Sequence, residues 1–428
     1  MNTSVLACSI LSCCLAGPCV VAHGQATQQT QTPQRAESAA VLPRIPTPSG
    51  SFGIGRVGYD WTDASRPDRF SADPNAHREL MVYLWYPTAR RAANAKGPYI
   101  PNAKQMDAIP DVQSRMSKYF EGNWQYIVSG AIYGHAAEGA HVARKPAQFP
   151  VIVFSHGLGG TGFEYTSLIE DLVSRGYVVA AIEHTEAAVV VAFPDGRMVL
   201  SHKDSPPAGL TPAERWQRMI EQGTLLISEG AADVRFVLDQ LTVLNRSDAR
   251  RNPLAGKLDF NRVAAMGHSA GAEFASRACE LDARFKACVD LDGGMVPVAA
   301  LPEYPDGAKI QQPLLFLENY YPESRMGGTH EEHLTYYKKR EKQLQACPKG
   351  SYAVVLRGNG LIHGSYDDTP LLEAHGRAPD TAIALHNQAL IQSFIRAFLD
   401  KTLKQEQEPL LDGSTASLPE ATVQALGN

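Results

Sequence analysis

Residues 262–271 read Arg-Val-Ala-Ala-Met-Gly-His-Ser-Ala-Gly, a short apolar run ending at Met266 that passes straight into a Gly-x-Ser-x-Gly pentapeptide. The pattern nominates Ser269 as a nucleophile. A serine on a sharp strand-to-helix turn has strained backbone angles, and neighbouring chains pass so close that Gly267 and Gly271 leave room that side chains would fill. Residues 272–281, Ala-Glu-Phe-Ala-Ser-Arg-Ala-Cys-Glu-Leu, suit a helix. That context separates a nucleophile elbow from a glycine-rich turn whose serine merely caps a helix.

The chain has 428 residues, 44% of them hydrophobic and 20% charged, with a net charge of -5. Such a composition supports a large buried core and argues against a nucleic-acid surface. The densest basic cluster, Lys338-Lys339-Arg340-Glu341-Lys342, has the mixed charge of a solvated helix face. An apolar run from Val5 to Ala16, followed by Ala22-His23-Gly24, resembles a signal peptide over residues 1–24 and implies a secreted or periplasmic protein. Its first residues carry no Lys or Arg, which leaves open a short anchor or a lipid-modified cysteine among Cys8, Cys13, Cys14 and Cys19. Residues 25–48, rich in Gln, Thr, Pro and Ala, form a linker that cannot bury a core. The catalytic domain is expected over 49–405 with an insertion at 88–147, and a polar tail over 406–428. Beyond the leader remain Cys279, Cys288 and Cys347; the first two either pair or stay as buried thiols.

The rhythm of the chain predicts an α/β fold: a mostly parallel central sheet, helices on both faces and antiparallel strands at the start. Glu79–Tyr86 reads as an early strand. The insertion holds a helical stretch, Val112–Ile132, whose Met116, Tyr119, Phe120, Trp124 and Tyr126 either cover the site or pack on the body of the domain. Strands follow at Pro150–Phe154, Tyr177–Ile182, Arg262–Met266, Ala287–Leu291, Pro313–Leu317 and Tyr352–Leu356. Helices are expected at Glu164–Arg175, about Pro212–Leu244 and roughly Ala382–Lys401.

A serine hydroxyl needs a base to take its proton and a carboxylate to orient that base. In the chain order serine, acid, histidine, the base falls on His363, in the glycine-bracketed loop after the last parallel strand. The acid lies on one of two loops, after Leu291 or at Glu318. Asp290 and Asp292 share strand parity and so face the same way, and Asp292 lies nearer the carboxyl end of its strand, where sites form. Two N–H groups must hold the developing oxyanion: that of Ala270, and that of Leu158 in the segment His156-Gly157-Leu158-Gly159-Gly160. This segment lacks the endings of a P-loop or a dinucleotide fingerprint.

Phe-Ser-His-Gly-Leu-Gly at 154–159, Val-Val-Ala-Ala-Ile-Glu-His ending at His184, Gly-His-Ser-Ala-Gly, Leu291-Asp292-Gly-Gly-Met and His363 together resemble the secreted platelet-activating factor acetylhydrolase family, from about Ser51 to Leu399. The resemblance implies an α/β-hydrolase fold and calcium-independent hydrolysis of short or oxidised acyl esters of phospholipids. It also implies an acid on the earlier loop, at Asp292, in preference to Glu318. Ala270 and Ala272 depart from the bulky residue and the further glycine that the family often carries there, so the acyl pocket is not carried over.

No cofactor or metal is expected. His330-Glu-Glu-His333 lacks the metalloprotease spacing and suits a solvated helix, and the sequon Asn245-Arg-Ser247 matters only in a glycosylating host. The expected partner is a small ester or phospholipid, with peripheral contact to a lipid surface left open. A polyester or dienelactone-type esterase, and a non-catalytic binding protein that kept the fold, are the alternatives.

Overall fold

The computed structural model describes residues 42–89, 96–185, 187–201, 209–249, 252–293, 310–321, 338, 340–374, 377–412 and 418–427. Residues 1–24, expected as a signal peptide, most of the expected linker and the His330–His333 stretch lie outside the described residues. Ten strands form one sheet: β1 (Gly53–Pro67), β2 (His77–Thr88), β3 (Ala137–Glu138), β4 (Phe149–Ser155), β5 (Val178–Glu183), β6 (Leu258–His268), β7 (Ala287–Leu291), β8 (Leu314–Asn319), β9 (Tyr352–Leu356) and β10 (Ala421–Ala425). Their spatial order is β10-β9-β8-β7-β6-β4-β5-β2-β1-β3. From β5 to β9 every pair is parallel, whereas β2 meets both β1 and β5 antiparallel. The expected α/β architecture is thus the observed one.

Period-two alternation divides the core. In β4, Ile152 and Phe154 join a cluster on one face of the sheet, while Val151 and Val153 join a second cluster on the other. The first face is covered by α1 (Pro110–Tyr119), α2 (Trp124–Val128), α3 (Thr166–Ser174) and α6 (Ala378–Leu399), the second by α4 (Pro212–Asn245) and α5 (Ala270–Leu281). The 34-residue helix α4 starts on a capping box, with Pro212 at its first position and Thr211 accepting from the Glu214 N–H.

In the insertion, the single helical stretch expected over Val112–Ile132 is two short helices, α1 and α2. Met116, Phe120, Trp124 and Ile127 are buried in the first core cluster, so its apolar stripe packs on the body of the domain. Glu170 on α3 ties it down, accepting from the Ala136 N–H and from both the N–H and the ring Nδ1 of His135. Cys279 and Cys288 form a disulfide between α5 and β7, and Cys347 is a buried free thiol.

The expectation of a polar tail over 406–428 is corrected, because β10 pairs antiparallel with β9 from Tyr352↔Ala425 to Leu356↔Ala421. An edge strand has a single neighbour and needs no continuous apolar run, so its polar composition hides it. Ending the chain after Asp412 should therefore expose the β9 edge. The expected result is a melting temperature lower by at least about 3 °C and more aggregation on heating. An unchanged melting curve would show that β10 adds nothing to stability.

Candidate active site

Strand β6 delivers Ser269 to the carboxyl edge of the sheet, and α5 begins one residue later. Ser269 is half-buried and takes φ 56° and ψ −126°, a conformation that a non-glycine residue holds only when its surroundings impose it. Its N–H donates to the Leu291 carbonyl at 3.0 Å. A Cβ on Gly267 would lie 2.1 Å from the Gly271 carbonyl oxygen, and one on Gly271 would lie 2.3 Å from that of Ser155. No side chain fits at either position.

The next strand supplies the carboxylate. Asp292 follows β7 with φ 52°, its N–H donating to Leu317 O at 2.8 Å. Its Oδ2 accepts from His363 Nδ1 at 2.7 Å and from the Tyr321 hydroxyl at 2.5 Å, while Oδ1 accepts from the Asn319 N–H at 3.1 Å. Asn319 also donates through Nδ2 to Ile362 O at 2.8 Å, so one residue steadies both the acid and the loop that carries the histidine. Burial would lower the pKa of His363, but Asp292 and the nearby Asp367 favour the imidazolium, and the net shift is upward from 6.5. With Nδ1–H committed to Asp292, Nε2 is left to accept a proton. Among the described residues no hydrogen bond joins Ser269 Oγ to this ring; such bonds often tighten only around a substrate.

Glu318 goes elsewhere. It accepts from Arg340 Nη1 at 2.8 Å, and burial pushes its pKa up to about 7 against the pull of that guanidinium. Nor do Asp290 and Asp292 face the same way, as their parity implied. The left-handed conformation of Asp292 breaks the alternation: fully buried Asp290 turns toward α5, accepting from the Ser276 hydroxyl at 3.4 Å and from the Gly293 N–H at 2.9 Å.

The loop after β4 runs beside the nucleophile, since a Cβ on Gly157 would sit 3.4 Å from Ser269 Cβ. Its N–H groups sort themselves. That of Gly157 donates to the Tyr165 hydroxyl at 3.2 Å, that of Gly159 to Ala187 O at 2.7 Å, and that of Gly160 back to Gly157 O at 3.0 Å. From Gly157 to Gly160, Leu158 alone has an N–H without an acceptor among the described residues. Ala270 is the first residue of α5, so its N–H has no intrahelical acceptor either. An anion between the two would also meet the positive end of the helix.

Several neighbours of the site gain their place only through the fold, His268 of the pentapeptide among them. His268 Nδ1 lies 2.7 Å from the Tyr165 hydroxyl, and its ring centroid is 4.6 Å from that of His363 and 5.2 Å from that of Tyr366. Burial, then the proximity of His363, holds its pKa well below 6.5, so it stays neutral. Tyr321 and Asn319 likewise belong to the site only through the fold. His268, Asp292 and His363 have ligand atoms within 4.8 Å of one another, as do Asp400, Glu406 and Glu408. In the first group Nδ1 of each histidine and the Asp292 carboxylate are engaged in the hydrogen bonds above, while His268 Nε2 has no partner among the described residues; Asp400 of the second accepts from Tyr177. A separate cleft of about 480 Å³ in the insertion, lined by Lys96, Ile100, Lys104 and Tyr133 among others, shares no residue with this site.

The fold is that of an α/β-hydrolase, and the relatives of the chain place it among the carboxylic ester hydrolases. The chain belongs to the family of platelet-activating factor acetylhydrolase, isoform II, whose sequence profile matches residues 41–204 and 227–408. It is 26% identical over 295 residues to a platelet-activating factor acetylhydrolase of Gallus gallus, covering 64% of this chain and 65% of that enzyme. Over 404 residues it is 25% identical to a probable 1-alkyl-2-acetylglycerophosphocholine esterase of Arthroderma benhamiae, covering 88% of this chain and 92% of the fungal one. A solved ferulic acid esterase from Streptomyces cinnamoneus superposes with a TM-score of 0.65 at 26% identity, over 90% of this chain and 100% of the other.

The pairing of Asp292 with His363 makes a directional prediction. In Asp292→Asn the ring loses the carboxylate that favours its charged form, so the acidic limb of kcat/KM against pH should move down. At the same time kcat should fall on the order of 10³–10⁴-fold. Glu318→Gln should stay within about tenfold of the parent. The reverse ranking in a pH-rate series would transfer the role to Glu318.

Proposed function

We propose that the protein hydrolyses short or oxidised acyl esters of phospholipids, without calcium, through an acyl-enzyme on Ser269. The observation that carries this reading is the left-handed serine between β6 and α5 with the hydrogen-bonded pair Asp292 and His363 on the adjoining loops. In the acylation step His363 Nε2 takes the hydroxyl proton as Oγ attacks the ester carbonyl. Asp292 stabilises the imidazolium that results, and the N–H groups of Leu158 and Ala270 receive the oxyanion. The imidazolium returns the proton to the departing alcohol. A water activated by the same ring then releases the acid and regenerates the serine.

The family match supports the phospholipid ester as substrate class. The ferulic acid esterase neighbour favours a second reading, a soluble aromatic ester, on the same machinery. A panel of p-nitrophenyl esters, feruloyl esters and acetyl- or oxidised-acyl phosphatidylcholines, each with and without EDTA, separates them. We expect the short-chain phospholipids to have the highest kcat/KM, unchanged by EDTA, and Ser269→Ala to lose at least about 10⁴-fold in kcat with all substrates. Full turnover by Ser269→Ala would defeat the acyl-enzyme, loss of rate in EDTA the calcium independence, and a preference for feruloyl esters the substrate class.

A further inference from the structure

The Leu158 N–H, read above as an oxyanion donor, belongs to the same peptide unit as the Gly157 carbonyl. In a trans peptide the two point in opposite directions, so whatever holds the carbonyl aims the N–H. Two groups hold it: the Gly160 N–H at 3.0 Å and the Nδ1 of His156 at 2.7 Å. A carbonyl only accepts, so Nδ1 carries the proton. The other ring nitrogen, Nε2, accepts the His184 N–H at 3.4 Å. Both partners demand the same neutral tautomer. Burial, reinforced by His184, lowers the pKa of His156 to about 3, so this tautomer persists across the working range of an esterase.

Behind His156 stands an anchor that the catalytic reading leaves unused. His184 contacts Asp233 Oδ2 through Nδ1 at 3.0 Å and the Ser155 hydroxyl through Nε2 at 2.9 Å. Ser155, His184 and Asp233 repeat the hydrogen-bond order of a catalytic triad, yet their exposures are 0%, 1% and 0%. No substrate reaches that serine. Burial would raise the pKa of Asp233, but Arg78, donating from Nη2 at 2.7 Å, and His184 hold it below the usual carboxylate range. A permanent buried carboxylate thereby fixes the ring of His184, whose own N–H fixes the ring of His156. Ser155 ends β4 directly before His156, so the strand end is held by the same anchor.

We propose that His156 is a positioning residue for the oxyanion site: it orients the Gly157–Leu158 peptide so that the Leu158 N–H faces the carbonyl under attack, with His184 and Asp233 as its fixed support. The proposal rests on the esterase reading and extends it to a residue that does not touch the substrate.

The test compares p-nitrophenyl acetate with p-nitrophenyl thionoacetate, whose sulfur accepts hydrogen bonds poorly and so senses the oxyanion donors. Rates are referred to Ser269 sites titrated with a fluorophosphonate. His156→Ala should lose about 10–100-fold in kcat per titrated site, with KM within about threefold, and its preference for the oxygen ester should shrink at least about tenfold. In His156→Asn the amide nitrogen stands where Nδ1 stood, so the preference should be largely restored. In His156→Gln it stands where Nε2 stood and the preference should remain low. This pair decides the matter even where the alanine variant fails to fold. An unchanged preference in His156→Ala, or equal preferences in the Asn and Gln variants, would overturn the positioning role. A parent protein that neither labels at Ser269 nor turns over the oxygen ester would overturn the esterase reading instead.

Discussion

Everything at this site follows from one backbone conformation, the left-handed turn at Ser269. A non-glycine residue held there costs on the order of 1–3 kcal/mol, and the surrounding structure must outweigh that cost. It does so by proximity. The first turn of α5 lies so close to β4 that Gly271 can have no side chain, the Ser269 N–H is held by the end of β7, and a disulfide joins α5 to β7. Because β6 lies between β4 and β7, the loops beside the serine are those that bring the Leu158 N–H and the Asp292 carboxylate. Strand order and chemistry are the same fact here: a parallel sheet places the loops at the carboxyl ends of adjacent strands around whatever its middle strand presents.

Around this turn the protein buries several ionisable groups, and does so in two ways. On the α4 face the charges are matched: Arg66 and Arg78 converge on Asp233, itself fully buried. On the other face, and at the strand ends, carboxyls are held by neutral donors. Glu183 accepts from Thr161 and Gly162, and Asp368 from Tyr99, and burial raises each pKa to about 7. Matched charges hold Asp233 in a single ionisation state, and with it the ring of His184 at the end of β4. The neutral-donor carboxyls hold turns by hydrogen bonds that either protonation state can accept.

The parts of this architecture written in local chemistry were legible in the sequence. Apolar runs of five or six residues announced the parallel strands, and the glycines at 267 and 271 announced a close crossing, because each is a statement about a few adjacent residues. His363 could be nominated from chain order. What could not be read depends on one residue meeting another far along the chain. Tyr321 and Asn319 around Asp292, and Tyr165 beside His268, are ordinary residues until the sheet assembles; His156 and His184 stand in segments the sequence marked out, but only the fold sets which atoms they hold. Parity failed at Asp290 and Asp292 for a different reason: the rule that successive residues alternate assumes extended backbone, and Asp292 has left it. The disulfide between Cys279 and Cys288 was equally open, since a spacing of nine residues says nothing about the distance between two elements.

The strand β10 gives the molecule a direction in time. Its partner β9 precedes it by some 65 residues and sits next to the strand that carries Glu318 and Asn319. On a chain that emerges amino end first, the sheet from β1 through β9 can assemble while its last edge is still unpaired, open to any strand that drifts against it. The edge closes only when β10 arrives. That strand is thus the last stitch of the sheet, and whatever delays it leaves open the seam beside β9.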